Sequence, residues 1–235
     1  MRLLLAFLLS GFSAAAQFPL WDFGLTAANS GIIFDTIATN VDTSAESPET
    51  FTHTISTLNN GYIVVALAYL DADTVTGVTF DGSAMTALRQ ATNFSDTTLK
   101  CELWGLAVGS KAAGGYTVSV AGIGTGVVAA FSSSWNGVHQ TTSTGTANSN
   151  SGIDTAPTVT ITSATGEIVV DIMAHYYTAL PTVGTSQTER GNDFVSSQIG
   201  GATSSESGAA SVPMTWTLGG STQWVSAGIP LKPAS

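Results

Sequence analysis

The hydrophobic positions of this chain fall in short runs divided by turns rich in Gly, Ser, Thr and Asn, and nowhere do they recur at helical spacing. The longest run, Gly61-Tyr-Ile-Val-Val-Ala-Leu-Ala-Tyr-Leu70, is rich in Val, Ile and Tyr and reads as a central β-strand. A partial twin opens with Gly166-Glu-Ile-Val-Val, and its strand is expected over 167–177. Further strands are expected over 32–41, 50–57, 75–80, 84–91, 98–108, 115–121 and 127–135, then over 158–163, 182–190, 194–199, 209–218 and 222–231. Asp81-Gly82-Ser83 is a hairpin-turn signal. The stretch 136–154 is almost devoid of apolar residues and reads as a long surface loop or a boundary between halves. The pattern predicts an all-β chain: an antiparallel β-sandwich, jelly-roll-like, over 31–235, divisible into loosely similar halves at 31–140 and 155–235. The echo between the halves fits either a duplication or two central strands solving one packing problem.

Alternation along the first central strand sends Ile63, Val65, Leu67 and Tyr69 to one face and Val64, Ala66, Ala68 and Leu70 to the other. Both faces are apolar. A strand in a two-sheet sandwich needs only one such face, so the second implies a cover, either the chain's own N-terminal arm or a neighbouring subunit. The arm at 17–30 crowds Phe18, Trp21 and Phe23 into a non-periodic segment. The expected assembly interface is therefore Phe18, Trp21 and Phe23 with Val64, Ala66, Ala68 and Leu70.

Residues 1–16 carry a basic start, an apolar run over 3–9 and the small residues Ala14-Ala-Ala16, the pattern of a secretory signal cleaved after Ala16. If retained, the same segment is an apolar arm. The run is shorter than the roughly 20 residues that a membrane-spanning helix needs, so no membrane span is expected. Charged residues make up only 9% of the chain, and the formal net charge is -10. Six scattered basic residues argue against a nucleic-acid partner, because phosphate recognition needs clustered Lys and Arg. Cys101 is the single cysteine, so an intrachain disulfide is excluded and packing must carry the stability. It reads as a small core residue.

Candidate chemistry is sparse. His53, His139 and His175 show no metal-ligand spacing. Asp171 and His175 share a strand face but stand about 13 Å apart, too far for a relay, and read as surface residues. Glu102, Glu167 and Asp171 are the carboxylates to weigh for glycosidase chemistry, which needs a facing pair. Ser132-Ser-Ser134 reads as a strand end, since the nucleophile-elbow pattern is absent. No cofactor is expected, with calcium at Asp71 and Asp73 as the one candidate, weighed against a solvated turn. Trp104, Trp135, Trp216 and Trp224, with Tyr176 and Tyr177, form either a sugar-stacking platform or core packing.

The strings Asn136-Gly-Val-His-Gln-Thr-Thr142, Ala156-Pro-Thr-Val-Thr-Ile-Thr-Ser163, Gly166-Glu-Ile-Val-Val-Asp171 and 224–233 together resemble a β-sandwich module of bacterial secreted surface proteins and of phage virion proteins such as fibres and capsid decorations. The resemblance covers the chain from about Gly61 onward. Its motifs are packing and turn motifs, so it brings no catalytic residues. It implies a non-enzymatic structural protein of a virion or other extracellular particle, whose partners are copies of itself or other particle subunits. The alternative is a secreted carbohydrate-binding or adhesion module that contacts surface glycans.

Overall fold

The computed structural model describes residues 31–43, 47–124, 126–176, 179–195 and 198–235. The arm residues Phe18, Trp21 and Phe23, Tyr177, and the segment 1–16 lie outside the described residues. The first part of the chain forms β1 (Ile33–Asp42), β2 (Glu49–Ile55), β3 (Leu58–Leu70), β4 (Gly77–Phe80), β5 (Ser83–Ala84), β6 (Thr86–Thr92), β7 (Leu99–Lys111), β8 (Gly114–Ala121) and β9 (Val127–Asn136). The second forms β10 (Asn148–Asp154), β11 (Thr158–Ile161), β12 (Ile168–His175), β13 (Thr182–Val183), β14 (Thr188–Val195), β15 (Ile199–Ser207), β16 (Val212–Thr217) and β17 (Thr222–Leu231). The strand pairs are all antiparallel. Among the described residues no helix is long and apolar enough to cross a membrane.

The strands build four sheets, and their order repeats. In the first half the sheets run β1-β9-β3-β7-β6 and β2-β8-β4-β5. In the second they run β10-β17-β12-β15-β14 and β11-β16-β13. Apart from the two-residue β5, each strand of the first half has a counterpart in the same place in the second. The edge strands β6 and β14 even share a mid-strand bulge, between Ala87 and Arg89 and between Glu189 and Gly191.

The four sheets stack as layers. Ile63, Val65, Leu67 and Tyr69 of β3 pack with Phe80, Val118 and Val120 between the two sheets of the first half. Val159, Ile161, Val169, Val212 and Met214 fill the corresponding interior of the second half, continued by Met173 and Trp216. The largest cluster lies between the two five-stranded sheets, where Val64, Ala66 and Ala68 meet Val170, Ile172 and Ala174. Across this seam β1 packs on β14, β3 on β12 and β15, and β6 on β17 and β10. The order is reversed from one sheet to the other, as a pseudo-two-fold axis near β3 and β12 requires.

The second apolar face of β3 is therefore covered, as its composition demands. The chain's own second half lies over it. Val64 and Ala68 are fully buried, Ala66 is 2% exposed, and Leu70 packs half-buried at the margin of the same cluster. Val64, Ala66 and Ala68 are thus spent inside one chain, and Leu70 in part.

The shared string Gly-x-Ile-Val-Val turns out to be used in opposite senses. In β3, Ile63 and Val65 point into their own sandwich and Val64 into the seam. In β12, Ile168 and Val170 point into the seam and Val169 into its own sandwich. A shift of one residue exchanges the faces of a strand. The halves repeat their topology, while this string does not mark equivalent positions.

Several segment expectations need correction. The segment 84–91 divides at Met85 into β5 and β6. The polar stretch 136–154 is not all loop, since β10 pairs with β17 from Asn148 to Asp154. The segments 182–190 and 194–199 give way to β13, β14 and β15. Strand β15, Ile-Gly-Gly-Ala-Thr-Ser-Ser-Glu-Ser, carries little apolar bulk because it has no room for it: a β-carbon on Gly200 would stand 2.2 Å from His175 Nε2. The Asp81-Gly82 turn is present, both residues having positive φ (50° and 74°), as a tight hairpin requires.

Candidate functional site

Among the described residues, three buried clusters and one loop clamp hold polar side chains capable of chemistry. The first lies where β1, β2 and β9 meet. Alternation places Ser132 and Ser134 on the inward face of β9, and His53 on that of β2. His53 Nδ1 meets Ser132 Oγ at 2.8 Å, and Nε2 meets Thr36 Oγ1 at 3.1 Å. Ser134 Oγ donates to Asp35 Oδ2 at 2.7 Å, and Asp35 also accepts the Ser56 amide at 3.1 Å. Burial lowers the His53 pKa to about 4, against the opposing pull of the Asp35 carboxylate. Histidine, serine and aspartate are all present, but the arrangement differs from a catalytic relay, in which a carboxylate holds one ring nitrogen and a nucleophile the other. Here both ring nitrogens meet hydroxyls and the carboxylate holds a serine. His53, Ser132 and Ser134 are fully buried, so this network closes the edge of the sandwich.

The second cluster sits inside the first sandwich. Glu102 is 2% exposed and accepts Tyr69 Oη at 2.5 Å and Trp104 Nε1 at 2.7 Å. Burial and the adjacent Glu102 carboxylate push the Tyr69 hydroxyl far above its usual pKa. The third sits inside the second sandwich. Asp171 accepts Ser204 N at 2.6 Å, Ser204 Oγ at 2.8 Å and Trp216 Nε1 at 2.8 Å. Burial raises its pKa to about 7, and these hydrogen bonds hold it from going higher. Each half thus buries one carboxylate against an indole N–H.

The carboxylates weighed for glycosidase chemistry are not brought together. Glu102 and Asp171 occupy the interiors of different sandwiches. Glu167 accepts Ser163 Oγ at 2.8 Å and the Ala164 amide at 3.0 Å, tying the turn before β12. Asp171 and His175 share an inward face, with Met173 between them. Both are fully buried, contrary to the surface placement expected from sequence. The misjudged signal is Ile172: it belongs to the seam, which leaves the apparently polar side of β12 facing a second core.

At the end of β3, Asp71 is engaged by the backbone. It accepts the amides of Asp73, Gly124 and Gly126 at 2.9, 2.9 and 3.1 Å. Beside it Lys100 Nζ donates to the carbonyls of Ala72 and Asp73. Asp71, committed to three N–H donors, clamps the loop that follows β3 against the turn before β9. Among the described residues no group of three His, Cys, Asp or Glu side chains could hold a metal ion.

The tryptophans follow the packing alternative. Trp104, Trp135, Trp216 and Trp224 are at most 6% exposed, and Tyr176 donates to Asp96 Oδ2 at 2.8 Å. Cys101 is buried in the seam, where desolvation raises its pKa well above normal. The outermost sheets instead present hydroxyls: Thr50, Thr52, Thr54 and Thr117 on one, Thr160 and Thr217 on the other, all exposed. No family model, curated protein or solved structure matches the chain.

Proposed function

We propose that the protein is a non-enzymatic structural protein of an extracellular particle surface, of the kind that decorates a phage capsid or builds a fibre. The observation that carries this reading is how the stack spends its side chains. Its buried carboxylates and the histidines His53 and His175 are locked into sandwich interiors, while threonine-rich outer sheets face solvent. A densely packed block whose outer sheets present many hydroxyls suits a surface lattice better than a reaction.

The strand order supports a jelly-roll reading of each half. Two Greek keys place the first strand beside the last, then the third and sixth, in one sheet, and the second, seventh and fourth in the other. With β5 set aside, both halves follow that order, and the strand between the fourth and the sixth, β6 or β14, is attached to the inner sheet. Jelly rolls recur in capsid and lectin domains, an analogy of fold rather than of site.

Because the inner sheet faces are consumed within the chain, attachment falls to the N-terminal arm and its Phe18, Trp21 and Phe23. Sedimentation of the full-length protein tests this. Self-association, or co-sedimentation with particles, is expected, and should be lost when all three aromatics are replaced by serine with thermal unfolding unchanged. A wild-type chain that stays a dispersed monomer at high concentration and ignores particles overturns the reading.

A further inference from the structure

We infer that the groove along β6, at the open rim of the seam, is a binding site for an acidic polysaccharide chain. The inference is independent of whether the protein sits on a particle.

The two rims of the seam differ although the halves repeat. At the β1–β14 rim, Arg190 lies 4.1 Å over the Phe34 ring and 5.6 Å from the centre of Trp135, plugging the gap. At the β6–β10 rim Tyr62 lines the first cavity, but among the described residues no arginine stacks on a ring to close the gap, and two cavities follow one another along β6. The first, about 470 Å³, has Thr86 and Leu88 on one wall and Thr141 to Thr144 on the other. The second, about 370 Å³, continues with Arg89 to Thr92 facing Ser149 to Ser151. The opposite wall is one continuous stretch of chain, held along β17 by the bridge from Thr144 to Leu231 and then by the β10 pairing. Strand β6 has seven residues, so the groove runs roughly 24 Å, several sugar rings long.

Its chemistry is set apart from the rest of the surface. The chain carries 16 acidic residues against six basic ones, yet neither cavity is lined by an Asp or Glu. Among the described residues, Lys100 serves two backbone carbonyls, Lys111 pairs with Asp81 at 2.9 Å, and Arg190 is the plug of the far rim. The other two cations, Arg89 and Lys232, both line this groove, one in each cavity. Arg89 is oriented by a neutral partner: Nε and Nη2 donate to Ser149 Oγ at 3.1 and 2.6 Å, which leaves the positive charge uncompensated there. Hydroxyls and amides of Thr, Ser, Gln90 and Asn150 make up most of the remaining lining.

A polar trough with two spaced cations fits a polymer of many hydroxyls and recurring carboxylates, as in a uronic acid chain. Arginine and lysine take the carboxylates, and the side-chain hydroxyls and amides take the sugar hydroxyls. A peptide added to the β6 edge would instead need pockets for alternate side chains, and the apolar side chains lining the groove, Tyr62, Leu88, Leu106, Ala107, Ala91 and Val225, are outnumbered by hydroxyl and amide groups.

The test is calorimetric titration of the full-length protein with hexagalacturonate, using maltohexaose and hexaglutamate as neutral and non-sugar controls. The uronate chain should bind, more weakly as salt rises, and the controls should not. Arg89→Gln and Lys232→Gln should each weaken binding on the order of tenfold, while Thr50→Ala on an outer sheet changes nothing. Lys232 lies outside the strands, so its variant decides the matter should Arg89→Gln disturb the seam. No uronate binding, equal binding of either control, or unchanged affinity in Lys232→Gln overturns the inference.

Discussion

Gly201 and Ala68 meet across the seam with no space between them: a β-carbon on Gly201 would stand 2.9 Å from Ala68 Cβ and 3.0 Å from that of Ala129. Here β15 packs closely on β3 and β9. Gly201→Val would force them apart at the centre of the largest cluster, and overpacking of this kind costs about 1–3 kcal/mol. Urea unfolding should show that loss. An unchanged midpoint would mean the halves are not pressed together there.

Arg190 closes the far rim by packing rather than by ion pairing. It stacks on Phe34, which itself meets Trp135 edge-on with centroids 5.2 Å apart, and donates Nε to Ser205 Oγ at 2.9 Å. Burial lowers its pKa, because desolvation disfavours the charged form. Arg190→Ala should cost about 1–2 kcal/mol. Arg190→Lys should recover little of it, because an ammonium group cannot reproduce the flat stacking contact. Thermal unfolding of both variants checks the prediction, and full rescue by lysine would assign the effect to charge alone.

The buried histidines and Asp171 pull stability in opposite directions with pH. His53 and His175 have pKa values lowered from 6.5 to about 4, so their contribution is present above about 6.5 and is lost as pH falls through 4. Asp171 is raised from 3.8 to about 7, so its contribution is full below 3.8 and is lost as pH rises through 7. His53→Gln should therefore remove about 2–3 kcal/mol of the acid-side loss between pH 6.5 and 4, and Asp171→Asn should remove the opposing decline between pH 4 and 7. Asp35 is the carboxylate tied into the His53 network through Ser134. Unfolding midpoints across that range decide it. Profiles of the two variants that parallel the wild type would rule out both assignments.

Much of the architecture was legible because the alternation of side chains carries it. The two-sided apolar face of β3 announced a layer beyond its own sandwich, and Val64, Ala66 and Ala68 were correctly singled out as covered. What alternation could not say is what covers them, since a second half of the same chain and a second copy present the same chemistry to a strand. Strand β15 was illegible for a related reason. Gly200 and Gly201 are there because His175 and Ala68 fill the space that side chains would take, so close packing erased the hydrophobic signal by which strands are found. Strand β10 was hidden by Asn148 and Asn150, whose side chains donate to the carbonyls of Thr160 and Thr158 and seal an edge. The buried clusters were missed because Asp35 and His53 lie 18 positions apart in sequence and meet only when β1 and β2 close on β9.

Glu102 makes the sharpest test of the interior. Its two oxygens are each taken by one donor, Tyr69 Oη and Trp104 Nε1, and Lys100 lies 5.6 Å from the centre of the Tyr69 ring. Removing the hydroxyl with Tyr69→Phe strands one buried carboxylate oxygen and should cost about 2–3 kcal/mol, the range for hydrogen bonds to charged groups. Glu102→Gln keeps an oxygen for one donor but turns an amide toward the other, so it should also destabilise. The double variant should be less damaging than the sum of the two, since the first loss already removes what the second would break. Additive losses in urea unfolding would show that the tyrosine and the carboxylate do not act as one unit.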